Sequence, residues 1–530
     1  MNKIEYVIYI NNENEASKNA ISIFQQQIFN KNFVTYWDII NHDYVLSKDG
    51  LKWIEFNKLI SVLRGKYSNI LDDFKSFDGF AFPSSDYVTQ FENLKKKVKL
   101  LQISNVNQTE WIINDTQKFE YVPDKYLKNK KKYLLNSKCI LISLTGGTDT
   151  DNDITSYFDN SFKAFLNQRV AAFSMKEYNK DYFFYFYAMT KTKFFKEQWL
   201  GKGGIQKNTV ASDRAKTYLP KIDNLEIVNF VSILTQAIIN KEKLIRERYE
   251  AILKAIETEL LENQQPDKFS FELPRINELE EVGRLDTGLY SETFKKNRFL
   301  VNNYKNGFSN IYELGFTMSR GQNLQESNIG QSVYLKKHYK SFYSLALPTN
   351  ISDYGTVQKI IYLGNSNQLK TLSKGEIIFG AEGTFRSFVV CDETEKYITN
   401  IHGITLFNSD FNLSVFVKCY MDYIVKKGLI DCVKVGGNGG SFAQKYWEVI
   451  PFPKFDKTKQ DEIAKLYHNA NIEYKTDTFT LANFLDKDNE YNQEAGIYEL
   501  DKTAKQLKEI LNQTIDDIVN DKEIVIKFNI

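Results

Sequence analysis

LEIVNFVSILTQAIINKEKLIRERYEAILKAIETELL, residues 225–261, keeps a helical rhythm far longer than an ordinary globular helix does. Its apolar positions are Ile227, Val231, Leu234, Ile238, Ile245, Tyr249, Ile252, Ile256 and Leu260, mostly three or four apart, with Lys241 interrupting the seam. A second stretch, IYELDKTAKQLKEILNQTIDDIV (497–519), sets Ile497, Leu500, Ala504, Leu507, Leu511, Thr514 and Ile518 at strict three-four spacing. Both read as coiled-coil helices, although one apolar stripe equally suits the inner face of a bundle helix. The residues expected to pack helix on helix are Ile227, Val231, Leu234, Ile238, Ile252, Ile256, Leu500, Leu507, Leu511 and Ile518.

Each long helix follows a segment of β-type character, so the chain reads as globule, long helix, globule, long helix. That order predicts an internal duplication, which matching landmarks can test. LLNSKCILISLTGG (134–147) is an apolar strand ending in a glycine turn, and TLSKGEIIFGAEG (371–383) is the same device. NSFKAFLNQRVAAF (160–173) is answered by EKYITNIHGITLF (395–407), and the aromatic helix YFFYFYAMTKTKFF (182–195) by SVFVKCYMDYIVKK (414–427). A glycine-rich loop, GKGGIQKNTVASDRAKTYLPKID (201–223), is answered by GGNGGSFAQKYWEVIPFPKFD (436–456). Gly380 follows Gly146 by 234 residues, Asn400 follows Asn167 by 233, and Pro451 follows Pro220 by 231. Four landmarks in one order at a nearly constant offset point to two copies of one unit.

The order and repetition of these segments resemble the specificity subunits of Type I restriction-modification systems. The resemblance covers residues 77–519. It rests on FDGFAFPSSDY (77–87), KLLQISNVN (99–107), the glycine turn after ILIS, and NQRVAAF (167–173), then on GEIIFGAEG, YITNIHGITL and the closing GGSFAQKYWEVIPFPKFDKTKQDEIAKL. In the first half YLPKID stands where the family has IPLP-like sequence, and it lacks a counterpart of Trp447. The opening of the second half, around LGFTMSRGQNLQ (314–325), is only loosely like the first. The resemblance implies an α+β chain with two β-rich target-recognition domains, each followed by a long helix, and a pseudo-two-fold arrangement. The domains are expected over 74–222 and 270–455, with the central helix over 223–266, a C-terminal helical region over 456–530, and an N-terminal extension, 1–73, of unassigned role. It further implies double-stranded DNA as ligand and two methyltransferase subunits as partners, which modify adenine with S-adenosylmethionine. Translocating nuclease subunits would join optionally.

Bulk composition is compatible with this and excludes some rivals. Hydrophobic residues at 42% and charged residues at 26% rule out a chain disordered throughout, and 530 residues exceed the usual size of one core. The abundance of Phe (39) and Tyr (32) beside only 8 Pro fits an AT-rich coding genome as well as any functional demand. A net charge of +2 means that any basic face must be local. The four cysteines, Cys139, Cys391, Cys419 and Cys432, form no CxxC pair and sit in apolar sequence, as expected of reduced thiols in the cytoplasm. Neither a signal peptide nor a membrane span is legible. No NPPF-like or DPPY-like tetrapeptide is present to hold a flipped adenine, and no GxxxxGK[ST] loop to hold nucleotide phosphates. The histidines, His42, His338, His402 and His468, are scattered, so no metal site is expected. The chain is therefore expected to read DNA without catalysing a reaction and without a cofactor of its own.

Reading DNA calls for Lys and Arg on phosphates, and Arg, Asn, Gln or His on base edges. Residues 191–216 hold Lys191, Lys193, Lys196, Lys202, Lys207, Arg214 and Lys216 against Glu197 and Asp213. The candidates there are Lys202, Gln206 and Lys207, with a flexible solvated loop as the plain alternative. Gln168 and Arg169 are candidates beyond a strand, or simply turn the chain. Arg320, Gln322, Arg386, His402 and Asn438 are their counterparts in the second half; His402 suits a structural role at least as well. Lys95, Lys96, Lys97 and Lys99 form another basic run, of the kind that usually marks a solvated face. Two rival readings remain: the recognition part of a Type IIB or IIG system, and a coiled-coil adaptor whose globules bind protein.

Overall fold

The structure, a computed structural model, describes residues 67–529 except 88–95, 107–108, 147–152, 200–206, 209–216, 286–287, 359, 384, 436–443 and 521. Contacts divide the chain into two units. The first takes Met1–Glu242, Lys475–Asp488 and Ala504–Ile530; the second takes Lys243–Tyr474 and Asn489–Thr503.

The strands of the first unit are β1 (Tyr67–Asn69), β2 (Phe74–Asp78), β3 (Lys97–Leu101), β4 (Glu120–Pro123), β5 (Cys139–Ser143), β6 (Thr145–Gly146), β7 (Thr155–Phe158), β8 (Ala164–Leu166), β9 (Val170–Met175), β10 (Lys207–Asn208) and β11 (Tyr218–Pro220). A four-stranded sheet runs β2-β9-β5-β7, and a three-stranded sheet runs β4-β3-β8 with β3 and β8 parallel. β1 pairs with β11, which closes the unit on itself. Strand side chains alternate between faces, and here both faces are covered. Cys139 and Leu141 of β5 join one core with Val170 and Ala172 of β9, while Ile140 and Ile142 join another with Ala171 and Phe173. That is why CILIS reads as a continuous apolar run rather than an alternating one. The second core is completed by the aromatic helix Lys180–Met189, capped by Asn179, whose side chain accepts from the amides of Asp181 and Tyr182. Every residue from Phe183 to Met189 is buried, because this helix lies in a core that also takes in the central helix.

The second unit repeats this plan. Its strands are β12 (Phe308–Ser309), β13 (Thr317–Arg320), β14 (Ser332–Leu335), β15 (Tyr343–Leu345), β16 (Ile361–Asn365), β17 (Ile377–Gly380), β18 (Ser387–Val389), β19 (Tyr397–Ile398), β20 (Gly403–Phe407) and β21 (Phe452–Pro453). The sheet order β13-β20-β17-β18 matches β2-β9-β5-β7, position for position. The order β16-β15-β19, again with one parallel pair, matches β4-β3-β8, and β12-β21 matches β1-β11. The side chains agree too. Tyr185 donates its hydroxyl to the carbonyl of Pro220 (2.9 Å), and Tyr420 donates to that of Pro451 (2.8 Å). Asn69 caps the one-turn helix Ile70–Asp73, with its amide donating to Asp72, just as the Asn310 amide donates to Glu313. Residues 67–73 thus have counterparts in the second unit. Residues 1–66 of the expected extension lie outside the described residues.

The two expected long helices are present as Leu225–Glu262 and Ile497–Val519. In the first unit Val231, Leu234 and Ile238 share a core with Leu507, Leu511 and Ile518, with Ile227 packed against it. In the second unit Ile252, Ile256 and Leu260 share one with Ile497 and Leu500. The interruption at Lys241 is a buried ion pair: its ammonium lies 2.8 Å from the carboxylate of Asp488, and neither side chain is more than 1% exposed. Next to it, Glu242 accepts from the Trp111 amide (2.7 Å) and from Lys508 (2.6 Å), which ties the β-rich part of the first unit to both helices.

Candidate nucleic-acid interface

Each unit carries a tight turn between the parallel-paired strand of its small sheet and an inner strand of its large one. In the first unit this is Asn167–Arg169, between β8 and β9. The Asn167 side chain accepts from the Arg169 amide (3.1 Å), and its carbonyl accepts from Val170 (2.9 Å). From the other side, Gly79 and Phe80 clamp the turn: the Gly79 amide donates to Val170, and the Gln168 amide donates to Phe80. The second unit repeats the device at Asn400–His402. Asn400 accepts from the His402 amide (3.2 Å) and, through its carbonyl, from Gly403 (3.0 Å); Gly321 and Gln322 form the clamp. A β-carbon on Gly79 would stand 2.0 Å from the Asn167 carbonyl oxygen, and one on Gly321 2.1 Å from that of Asn400. Only glycine permits so close an approach.

Fixing the backbone leaves the side chains free to differ. Gln168 and Arg169 are exposed in the first unit, Ile401 and His402 in the second. Arg320, exposed on neighbouring β13, donates to the Ile401 carbonyl (3.3 Å) and so stands beside the second turn. His402 contacts Glu382 through Nδ1 at 2.9 Å.

Two other candidates are held differently. The Gln322 amide is engaged at both ends, donating to the Lys370 carbonyl (2.6 Å) and accepting from the Lys370 amide (3.0 Å). Arg386 is bound to Asp353 (2.7 Å) and to the Ile351 carbonyl (2.8 Å). Both therefore brace the unit. Lys202, Gln206 and Asn438 lie outside the described residues; Lys207 is described only as backbone, paired in β10 with Gly146.

The basic stretch 191–216 requires a correction at its start. Lys191 and Lys196 are buried, not solvent-facing, with their ammoniums 3.3 and 3.0 Å from the carboxylate of Asp153. Lys191 also lies 4.9 Å from the ring centres of Trp111 and Tyr187. Burial draws its pKa down to about 8, against the pull of Asp153. Burial pushes the Asp153 carboxyl upward, but the two ammoniums outweigh it and hold it below its ordinary value. Lys99, in the run 95–99, lies over Phe119 and Phe162 and donates to the Asp115 carbonyl (2.7 Å).

A different basic segment adjoins the first turn. In DKYLKNKKKY (124–133), Lys128, Lys131 and Lys132 are exposed, and Lys130 stacks its ammonium 4.2 Å from the Phe80 ring. Phe80 in turn lies 5.0 Å from Tyr133. A charge count would have found this segment, since it holds five lysines against one acid.

No group of metal-ligating side chains and no helix long and apolar enough to cross a membrane occurs among the described residues. Cys139, Cys391 and Cys419 are buried, and desolvation raises all three thiols, Cys419 to about 12, which disfavours the thiolate.

Residues 87–247 match the family described as Type I restriction modification DNA specificity domain. The match covers 161 of the 530 residues. The matched segment takes in the Asn167 turn, the aromatic helix and the first half of the central helix. The solved S subunit of a Type I restriction-modification system from M. genitalium is 12% identical and covers 85% of this chain and 95% of its own length, with a TM-score of 0.38. The HsdS subunit from Thermoanaerobacter tengcongensis is 11% identical, covering 86% and 96%, at 0.25. The type IIG restriction endonuclease BpuSI is 10% identical, covering 37% of this chain and 30% of its own, at 0.26. No curated protein matches this chain. The match falls almost wholly within the first unit, whose main sheet order the second unit repeats.

Proposed function

We propose that the chain is the DNA-reading specificity subunit of a Type I restriction-modification complex, acting in the cytoplasm. Each unit reads one half of a bipartite double-stranded site, with recognition domains over 74–222 and 270–455. Two methyltransferase subunits, supplied with S-adenosylmethionine, modify adenine there; translocating nuclease subunits join optionally. This chain contributes no catalytic group and binds no cofactor. One observation carries the reading: a single rigid turn, anchored by Asn167 or Asn400, is presented twice with different exposed side chains. A protein that reads two unlike half-sites needs a constant framework with interchangeable groups at the base edges.

The test is to sequence methylated adenines in a host expressing the chain with its cognate methyltransferase. A gapped motif of two half-sites is expected. Arg169→Ala should relax one half and Arg320→Ala the other, each by about 1–3 kcal/mol of discrimination. Methyl transfer by the purified chain alone, or both halves changing with either substitution, would sink the reading.

A further inference from the structure

The geometry points to a second DNA contact in the second unit: the ribbon of β14 and the turn after it, residues 332–340, is a phosphate clamp that adds affinity without reading sequence. This rests on the reading of the chain as DNA-binding.

β14 is the outer strand of the sheet β14-β16-β15-β19, and among the described residues the first unit has no strand in that place. A strand lying on a core shows one face to water, yet Val333, Tyr334 and Leu335 are 55, 49 and 36% exposed, so both faces of β14 stand clear. Lys336, Lys337, His338, Tyr339 and Lys340 follow, all exposed. His338 packs its ring 5.0 Å from Tyr362 of β16 and lies 4.0 Å from Glu395. The ring of Phe342 fills the space that a side chain at Gly364 would occupy, opposite Val333.

Charge identifies the occupant. The chain as a whole is nearly neutral, with 69 basic and 67 acidic residues, yet residues 327–375 hold six lysines and one acid, Asp353. That acid is bound to Arg386. Lysines on an exposed edge also discourage strands from pairing between molecules. That role does not require clearing acids from the partner strand and its following loop as well. An exposed edge strand followed by a turn of cations fits the DNA backbone.

Residues 332–340 contain no Arg, Asn or Gln; their cations are lysines, compact point charges without the planar fork that favours paired contacts with a base. At the opposite edge of the same sheet, β19 leads into the Asn400 turn. Three inter-strand steps of roughly 4.8 Å separate the edges by about 14 Å, close to the width of a major groove. A turn in the groove would therefore place the ribbon on the bordering phosphates.

The test is binding of the full chain to a random-sequence 30-base-pair duplex and to a duplex carrying its methylated motif, over a range of NaCl concentrations. The triple variant Lys336→Ala, Lys337→Ala, Lys340→Ala should flatten the slope of log affinity against log salt by up to about 2.7, at roughly 0.9 per lost phosphate. Affinity near about 0.1 M salt should fall about tenfold or more on both duplexes alike. The matching triple Lys→Arg variant should keep the parent's slope. An unchanged slope in the alanine variant overturns the clamp. So does a changed ratio between the two duplexes, which would make the ribbon a base reader. Loss of methyltransferase assembly at unchanged slope would assign the face to a protein partner instead. If the parent shows no salt-sensitive binding, the proposed function itself fails.

Discussion

Adding a methyl group at Gly79 or Gly321 would drive it into a main-chain carbonyl that has no room to retreat, because the Asn turn on the far side is held by its own hydrogen bonds. Gly79→Ala is expected to cost about 3 kcal/mol in urea denaturation and to abolish reading of one half-site, with Gly321→Ala acting on the other. Lys191 makes a pH-dependent case. Its ordinary pKa is 10.5 and burial lowers it to about 8. Between those values the unfolded chain holds a proton that the folded chain has released, so this lysine's contribution to stability rises with pH across the window and is smallest below it. Relative to Lys191→Met, the parent should gain about 1 kcal/mol per pH unit in that window, read from denaturation midpoints at pH 7, 8.5 and 9.5. The sequence could not reveal this role. A run of lysines looks the same whether solvated or paired, and Asp153, the partner, lies 38 residues away. Gln168, Arg169, Arg320 and His402 were legible as polar residues near strand ends, whereas the engagement of Gln322 by Lys370 depends on a contact across 48 residues.

At the level of elements, periodicity told most where one side of a helix is buried. All seven stripe positions of Ile497–Val519 are buried, from Ile497 and Leu500 to Thr514 and Ile518. The central helix departs from a simple stripe: Val228, Phe230, Ile233 and Ile239 are also buried, since in the first unit it shares a core with the aromatic helix and the C-terminal helix alike. Lys241 looked like a fault in that pattern and is instead half of a buried pair with Asp488. Breaking such a pair leaves one charge without its partner, so Lys241→Ala should cost about 3–5 kcal/mol by chemical denaturation. Replacing both, as Lys241→Met with Asp488→Leu, should recover most of that loss. A double variant as weak as the single one would show that the site needs the ion pair itself and not merely the absence of a lone charge. Short strands were the least legible elements: β1 and β12, of three and two residues, carry no periodicity and exist only through partners near residues 218–220 and 452–453.

For the whole molecule, duplication was visible because three offsets, from 231 to 234 residues, agreed without an alignment, and the two sheets now agree in strand order. Both long helices pass from one unit to the other, the central one at Glu242–Lys243 and the C-terminal one at Thr503–Ala504. If they set the separation of the half-sites, lengthening one alone must fail, since Arg248 of the central helix bonds the carbonyls of Gln493 and Ala495 ahead of the C-terminal one. The chain also crosses at Tyr474–Lys475 and, within the helix Phe484–Glu494, at Asp488–Asn489, so the insertion should be matched at every crossing: one heptad after each of Glu242, Asp488 and Thr503, and seven added residues after Tyr474. This leaves the Glu242–Lys508 and Lys241–Asp488 contacts in the first unit intact, as well as those of Arg248 in the second. Seven helical residues add about 10 Å, the length of about three base pairs. Whole heptads also keep the apolar seam nearly in phase, because seven residues are close to two turns. Methylome sequencing of this variant should show both half-sites unchanged and the unread gap about three base pairs longer. An active enzyme with the parent's gap would mean that the helices brace the two units without measuring the distance between the sequences they read.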